Sequence, residues 1–247
     1  MGMMEIEVLG VGDAFSARRY NTSFLIHSEP KILIDGPPAL FRILEERKIP
    51  RQSIGAVIAT HIHGDHTAGL QTLLLWRRHY LKKKTRLYTS GRVFKEMEAV
   101  FFPAFEDGFN DQLTEVEKGS FSDYVDFVEL SEDNSNPLEE GLTVSIRHNW
   151  HPVSTLGLKL QSRNSTLGIS GDHCYRPRLL KRLLQEGRID EDRFEKMAGD
   201  WLWQADLIYH EASRSEGSPH TQEQDLLELP ASIRRKIRLV HVADDFD

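Results

Sequence analysis

The segment Thr60-His61-Ile62-His63-Gly64-Asp65-His66 places three imidazoles and a carboxylate within six residues. Neutral imidazole nitrogens and carboxylate oxygens are the preferred non-thiolate ligands of zinc and similar divalent ions, so the segment reads as a metal-binding motif rather than a polar loop. His61 and His63 stand two residues apart, a spacing that can aim both rings the same way in extended chain, while Asp65 and His66 open a helix and can face a second ion. Gly64 is expected to tighten the turn between them, as a residue without Cβ can. One short stretch could therefore serve two metals.

Groups of the same chemistry recur along the chain. Asp35 follows the apolar run Lys31-Ile32-Leu33-Ile34, and Asp172 ends Leu167-Gly168-Ile169-Ser170-Gly171-Asp172. His151 opens His151-Pro152-Val153-Ser154-Thr155-Leu156-Gly157, with His148 upstream as a competitor, and His241 follows Ile237-Arg238-Leu239-Val240. In this order, over essentially the whole chain, the motifs resemble the HxHxDH signature and accompanying ligands of the metallo-β-lactamase superfamily. The resemblance implies an α/β fold, the αββα sandwich of two mixed β-sheets with helices outside. It also implies two divalent ions, zinc first, with manganese or iron as alternatives. It assigns His61, His63 and His151 to one ion, Asp65, His66 and His241 to the other, and Asp172 to both. A hydroxide shared between ions roughly 3.5–4 Å apart would be the nucleophile. Asp65 counts as a catalytic group as well as a ligand, and Asp35 is expected behind the ligands, accepting a hydrogen bond that fixes an imidazole tautomer.

Three further segments resemble the tRNase Z and phosphodiesterase branch of that superfamily. These are Gly10-Val11-Gly12-Asp13-Ala14-Phe15-Ser16 with Arg19-Tyr20-Asn21-Thr22-Ser23, His210-Glu211-Ala212-Ser213, and Pro219-His220-Thr221. The resemblance makes His210 the general acid, a role suited to a group with a pKa near neutrality, and lets Glu211 orient it. It sets His220 and Asp13 in the substrate pocket. The chain departs from tRNase Z in having only 20 residues between His151 and Asp172, too few for the arm that grips tRNA, and in carrying His173 after Gly171-Asp172. The reading is a phosphodiesterase acting on a small diester such as a cyclic nucleotide. An ester or lactone hydrolase, a tRNase Z-like endoribonuclease and a metal-stabilised binding or sensor module are the alternatives.

Composition agrees. A chain of 247 residues, 39% hydrophobic, can bury a sizeable core as a single domain over 1–247. No apolar run approaches the roughly 20 residues that span a bilayer, and no signal-like N-terminus is seen, so a cytoplasmic protein is the default. Cys174 is the only cysteine, which rules out an intramolecular disulfide. The net charge of −7 gives no general attraction to polyanions, and nucleic acid is not the expected partner. A homodimer is left open. Two basic clusters, Arg77, Arg78, Lys82, Lys83, Lys84 and Arg86, and Arg234, Arg235, Lys236 and Arg238, read as solvated helix ends. Residues 129–140 read as a solvated acidic loop, and residues 101–119 as a lid or wall over the site.

The elements that must position these groups are short. Strands are expected at residues 4–9, 23–26, 31–34, 54–59, 142–146, 157–160, 166–169, 205–209 and 237–240, with helices near 37–47, after His66 and over 178–198. The histidine cluster then falls at the carboxyl end of a buried strand, where open α/β sheets place their sites.

Overall fold

The computed structural model describes residues 4–109, 114–132 and 134–246. Aliphatic runs bounded by turn residues form the strands, which pair into two six-stranded sheets. The first sheet joins β1 (Ile6–Gly10), β2 (Ser23–Ile26), β3 (Lys31–Ile34), β4 (Ile54–Ile58), β5 (Thr85–Thr89) and, past the hairpin of β6 (Asp107–Phe109) and β7 (Val116–Lys118), β8 (Val125–Glu129). The second runs in spatial order from β9 (Asn136–Pro137) through β10 (Thr143–His148), β11 (Leu156–Gln161), β12 (Thr166–Ile169) and β13 (Leu207–Glu211) to β14 (Ile237–Val240). Each sheet is antiparallel in one half and parallel in the other. The helices are α1 (Leu40–Glu46), α2 (Gly64–Tyr80), α3 (Gly91–Phe101), α4 (Pro177–Gln185), α5 (Glu191–Ala198), α6 (Glu223–Leu227) and α7 (Ala231–Arg234).

One aliphatic core fills the space between the sheets, drawing Phe24, Leu33 and Val57 from the first and Ile146, Leu158 and Ile169 from the second. Phe24 meets Tyr209 of β13 with ring centroids 5.1 Å apart. A smaller cluster around Trp203, Ile208 and Leu226 packs on the outer side of the second sheet. This is the metallo-β-lactamase sandwich that the motif order implies.

The parallel halves decide where the chemistry goes. Ile34 and Ile58 are register partners, so Asp35 and residues 59–61 leave neighbouring strands side by side. Tyr209 pairs with Ile169 and Glu211 with Val240, which brings Asp172, Glu211 and His241 together at the matching end of the second sheet. Leu156 N–H donates to Thr60 O at 3.1 Å, fastening the two ends to each other.

Several expectations are corrected. Gly64 is simply the first residue of α2, and a Cβ there would meet nothing within 4 Å, so its small size is not what shapes the turn. Gly171 is the glycine the site requires: its φ is +57°, and a Cβ would lie 2.3 Å from Leu156 O. The first basic cluster is not one patch, because Arg77 is buried and donates to Ile54 O and Lys84 O, while Arg86 is paired with Glu139. The acidic segment is not simply solvated either. Asn136 is buried and its amide donates to Ser131 O and Val144 O, and Glu132 accepts from His148 N–H at 2.9 Å. Asp133 and residues 110–113 lie outside the described residues. Phe101 and Phe105 of the insertion are buried against Phe121, and none of its described residues lines the cleft over the site. Arg178–Ala198 breaks into two helices after Gly187, whose φ is +66°.

Candidate metal centre and its cleft

Two of the expected residues stand in left-handed backbone, Asp35 at φ +58° and His241 at φ +52°. Non-glycine residues adopt that conformation only where the surroundings enforce it, and such positions concentrate at functional sites. Here the surroundings are hydrogen bonds. Asp35 is buried; its N–H donates to Ile58 O at 3.0 Å, and its carboxylate accepts from Thr60 N–H at 2.8 Å, Thr60 Oγ1 at 2.7 Å and His66 Nδ1 at 2.8 Å. His241 N–H donates to Thr22 Oγ1 at 2.9 Å.

These bonds fix two tautomers. An ionised carboxylate only accepts, so the single Thr60 hydroxyl proton goes to Asp35 and His66 contributes Nδ1–H. Thr60 Oγ1 then has only lone pairs left for His61 Nδ1, 3.0 Å away, and must accept from it. In the neutral form that a metal ligand needs, both rings therefore offer a bare Nε2; without an ion, burial opposes charge on His66 but Asp172 and Asp35 outweigh it and raise its pKa well above the usual value. The two Nε2 atoms, together with Asp172 Oδ1, are buried without a hydrogen-bond partner among the described residues. Buried lone pairs without a donor are costly in an apo protein and are what a cation satisfies.

Asp172 faces both halves of the cluster. Its Oδ2 lies 3.4 Å from His61 Nε2 and 3.7 Å from His151 Nε2, while its Oδ1 lies 3.3 Å from His66 Nε2 and 3.6 Å from His241 Nε2. His63 joins the first half, with Nδ1 3.3 Å from His151 Nε2. Asp65 joins the second, its Oδ2 3.2 Å from both His66 Nε2 and His241 Nε2. His61, His63, His151 and Asp172 thus offer four ligand atoms within 4.8 Å of one another, and Asp65, His66 and His241 offer three. His148 is engaged elsewhere, bonded to Ser90 Oγ at 3.2 Å.

The electrostatics follow the same division. Burial opposes ionisation of Asp172, yet the imidazoles of His241, His66 and His61 hold its pKa well below the usual carboxylate range. Burial also opposes charge on His241, but Asp172 and the hydrogen bond to Asp65 outweigh it and push its pKa up to about 9. His151 has less compensation, and burial takes it down to about 3.

A third set, Asp172, Glu211, His220 and His241, lies beside these and has its own ligand-like geometry. Glu211 is fully buried. Its Oε1 accepts from His173 N–H and Thr221 N–H, both at 2.9 Å, and its Oε2 accepts a short hydrogen bond from His220 Nδ1. One carboxylate therefore holds the strand end after Asp172 and the loop that carries His220. The His220 ring stacks 4.8 Å from that of His241 and stands 5.3 Å from that of His151, bordering both halves of the cluster. Burial lowers its pKa, but the bond and charge of Glu211 more than offset this, so the net shift is upward.

His210 is not brought into the site. Successive side chains on a strand face opposite ways. On β13, Tyr209 and Glu211 face the core and the site, and His210 faces the outer side, stacked 5.3 Å from the Trp203 ring. It is fully buried there with Nδ1 on Glu211 O at 2.8 Å, and burial lowers its pKa to about 4. That placement sets His210 apart from the ligand cluster with which the sequence expectation of a general acid had grouped it. His210→Ala should cost stability on the order of 2–4 kcal/mol as a cavity mutation. Turnover per folded molecule should stay within about threefold. A denaturant melt beside an active-site-titrated rate checks this; a full-stability variant with a hundredfold lower rate would contradict it.

Over the cluster opens a cleft of about 750 Å³ whose lining includes His63, Asp65, His220 and His241. Asp13 and Phe15 line it from the loop after β1. Asp13 organises that loop, accepting from Phe15 N–H at 3.0 Å and, through its carbonyl, from Asn21 Nδ2 at 2.6 Å.

Thr60 is the positioning residue that sequence reasoning passed over, although it adjoins the motif. Thr60→Val removes the acceptor for His61 Nδ1–H, and metal affinity should fall about 10–100-fold, as for other supports of a ligand imidazole. Thr60→Ser should keep wild-type affinity. Calorimetric metal titration checks this, and an unchanged Thr60→Val would contradict it.

Comparison with known proteins places the chain. It is 26% identical over 252 residues to the cAMP/cGMP-dependent 3′,5′-cAMP/cGMP phosphodiesterase B of Dictyostelium discoideum, covering 99% of this chain but only 21% of that protein. It is 28% identical over 253 residues to the Anti-Pycsar protein Apyc1 of Paenibacillus sp. (strain J14), covering 99% of this chain and 91% of that one. Among solved structures, the metallo-β-lactamase fold protein YhfI of Bacillus subtilis superposes with a TM-score of 0.70 at 15% identity, covering 100% of this chain and 89% of the other. The family model described as Anti-Pycsar protein Apyc1 matches residues 4–247, and on that match this metallo-β-lactamase fold chain belongs to the Apyc1 family.

Proposed function

We propose that this chain is a metal-dependent phosphodiesterase that hydrolyses a 3′,5′-cyclic nucleotide at a centre of two divalent ions shared by Asp172. The observation that carries the reading is the placement of that one carboxylate, with Oδ2 toward His61 and His151 and Oδ1 toward His66 and His241. The donor set of imidazoles and carboxylates suits zinc first, with manganese or iron as alternatives. When bound, such a pair lowers the pKa of water toward neutrality and offsets charge on the phosphoryl oxygens. The cyclic-nucleotide assignment draws support from the Dictyostelium relative, whose name states that chemistry.

The chain's own residues do the rest. His220 gives Nδ1–H to Glu211, and because the bond and charge of Glu211 outweigh burial and raise the His220 pKa, the ring takes up a second proton on Nε2, where it borders both halves of the cluster. Water gives up one proton to solvent, the resulting hydroxide oxygen bonds to phosphorus as the ring P–O bond breaks, and the departing alkoxide takes the Nε2 proton, which makes His220 the general acid. Glu211 is a positioning residue: it sets the tautomer and holds the loop. Asp65 stays a ligand on the side of His66 and His241. The small size of the cleft and the dispersal of the basic residues favour a mononucleotide over folded RNA.

The test is product analysis. The metal-loaded protein is given 3′,5′-cyclic nucleotides of each base, a carboxylic ester, a lactone and a precursor tRNA. Ring-opened nucleotide monophosphates with negligible turnover of the others is the expected result. Preference for the ester or lactone, or tRNA cleavage, would overturn the reading.

A further inference from the structure

Phe15 is the most exposed large apolar side chain of the described residues, at 92%. It does not lie on a loose surface. It lines the same cleft as His63, Asp65, His220 and His241, beyond the metal-ligand cluster. No aromatic ring among the described residues packs against it, whereas Phe94, Phe101, Phe105, Phe121 and Phe127 pack ring against ring.

Its backbone is held firmly. Phe15 N–H donates to Asp13 Oδ1 at 3.0 Å, Ala17 N–H to Asp244 Oδ2 at 2.7 Å, and Arg18 N–H to the same oxygen at 3.1 Å. Ser16 Oγ donates to Val242 O at 3.1 Å and Arg19 Nη1 to Ala243 O at 2.5 Å. The loop is thus clamped onto the segment that follows His241. An apolar ring left in water on a rigid support, rather than on a floppy loop that could fold it away, is preorganised to receive a flat partner. The cleft is lined further by small apolar residues, among them Ala14, Pro38 and Ala212, and by polar ones such as Asn21, Ser213 and Arg214.

We infer that Phe15 is the stacking platform for the nucleobase of the substrate. This rests on the phosphodiesterase reading above and deepens it. Every base has a π face, so stacking on a phenylalanine ring supplies affinity with little choice among bases. Recognition is divided within the cleft: the histidine cluster takes the phosphate and Phe15 takes the base. Purines, with the larger ring, bind more tightly than pyrimidines, while all four bases are accepted.

The experiment compares wild type, Phe15→Ala and Phe15→Trp in two measurements. In the first, KM and kcat are taken for 3′,5′-cAMP and for the methyl riboside 3′,5′-cyclic phosphate, which lacks a base. Phe15→Ala should raise KM for cAMP about 5- to 10-fold, the scale of one lost base stack. It should leave kcat and the base-free substrate nearly unchanged, and Phe15→Trp should restore KM. An equal loss on both substrates would overturn the inference, because the loop would then matter only structurally. In the second, AMP is titrated into each protein by calorimetry without turnover. A five-fold or greater weakening in Phe15→Ala supports stacking; unchanged affinity, or no AMP binding by wild type, overturns it. If no diester is turned over but AMP binding depends on Phe15, the phosphodiesterase reading falls while the stacking site stands.

Discussion

Asp172→Ala should lower kcat/KM for a cyclic nucleotide by about 10⁴-fold or more, the largest effect of any single substitution in the chain. Among the described residues its carboxylate is the only one whose two oxygens face different halves of the cluster, 3.4 Å from His61 on one side and 3.3 Å from His66 on the other. Without it, two ions would sit near each other with less negative charge between them, and their repulsion in a buried site would expel at least one. Metal content should fall below two ions per chain under saturating metal, and the apo protein should melt at a lower temperature, because the buried imidazoles lose the carboxylate that faces them. Asp172→Asn keeps the shape and loses the charge, so it should resemble Asp172→Ala. Two tightly held ions and activity within tenfold of wild type in either variant would contradict the bridging role.

His220→Ala should lower kcat by about 10²- to 10⁴-fold with metal content intact, the range expected for removal of a general acid. The loss should depend on the leaving group. A cyclic nucleotide expels a basic alkoxide that needs the proton, whereas a nitrophenyl diester expels an anion that is stable without one, so the nitrophenyl substrate should suffer far less. Equal losses on both would mean that His220 only positions the substrate. Glu211→Gln separates the parts further. It weakens the grip on His220 while also disturbing the bonds to His173 N–H and Thr221 N–H, so a lower melting temperature should accompany its slower turnover.

Much of this site was legible in the sequence because its groups sit at strand ends marked by apolar runs. Asp35, His61, Asp172 and His241 each follow four or more strand-forming residues, and the parallel register then carries them together. The choice between His210 and His220 was not legible. Strand β13 is apolar on both faces, with Ile208 toward one cluster and Tyr209 toward the other, so no alternation marks which face His210 takes. The strand parity relative to Tyr209 gives the face that His210 takes, but only once the sandwich interior is known. The stretch from Thr85 to Glu129 hid β5, α3 and β8, since lysines and arginines beside β5 obscure its short apolar core. Arg77 read as a surface cation because a guanidinium usually is one. Its burial depends on carbonyls of Ile54 and Lys84 that only the folded helix end presents.

The central claim is that hydrolysis needs both halves of the cluster at once, and one titration tests it most directly. Apo protein receives Zn2+ from zero to three equivalents, and bound metal and the rate of 3′,5′-cAMP hydrolysis are read on the same samples. The account predicts that the rate stays low through the first equivalent, rises through the second and is flat thereafter. Full activity at one equivalent, or two bound ions with no hydrolysis of any cyclic nucleotide, would contradict it.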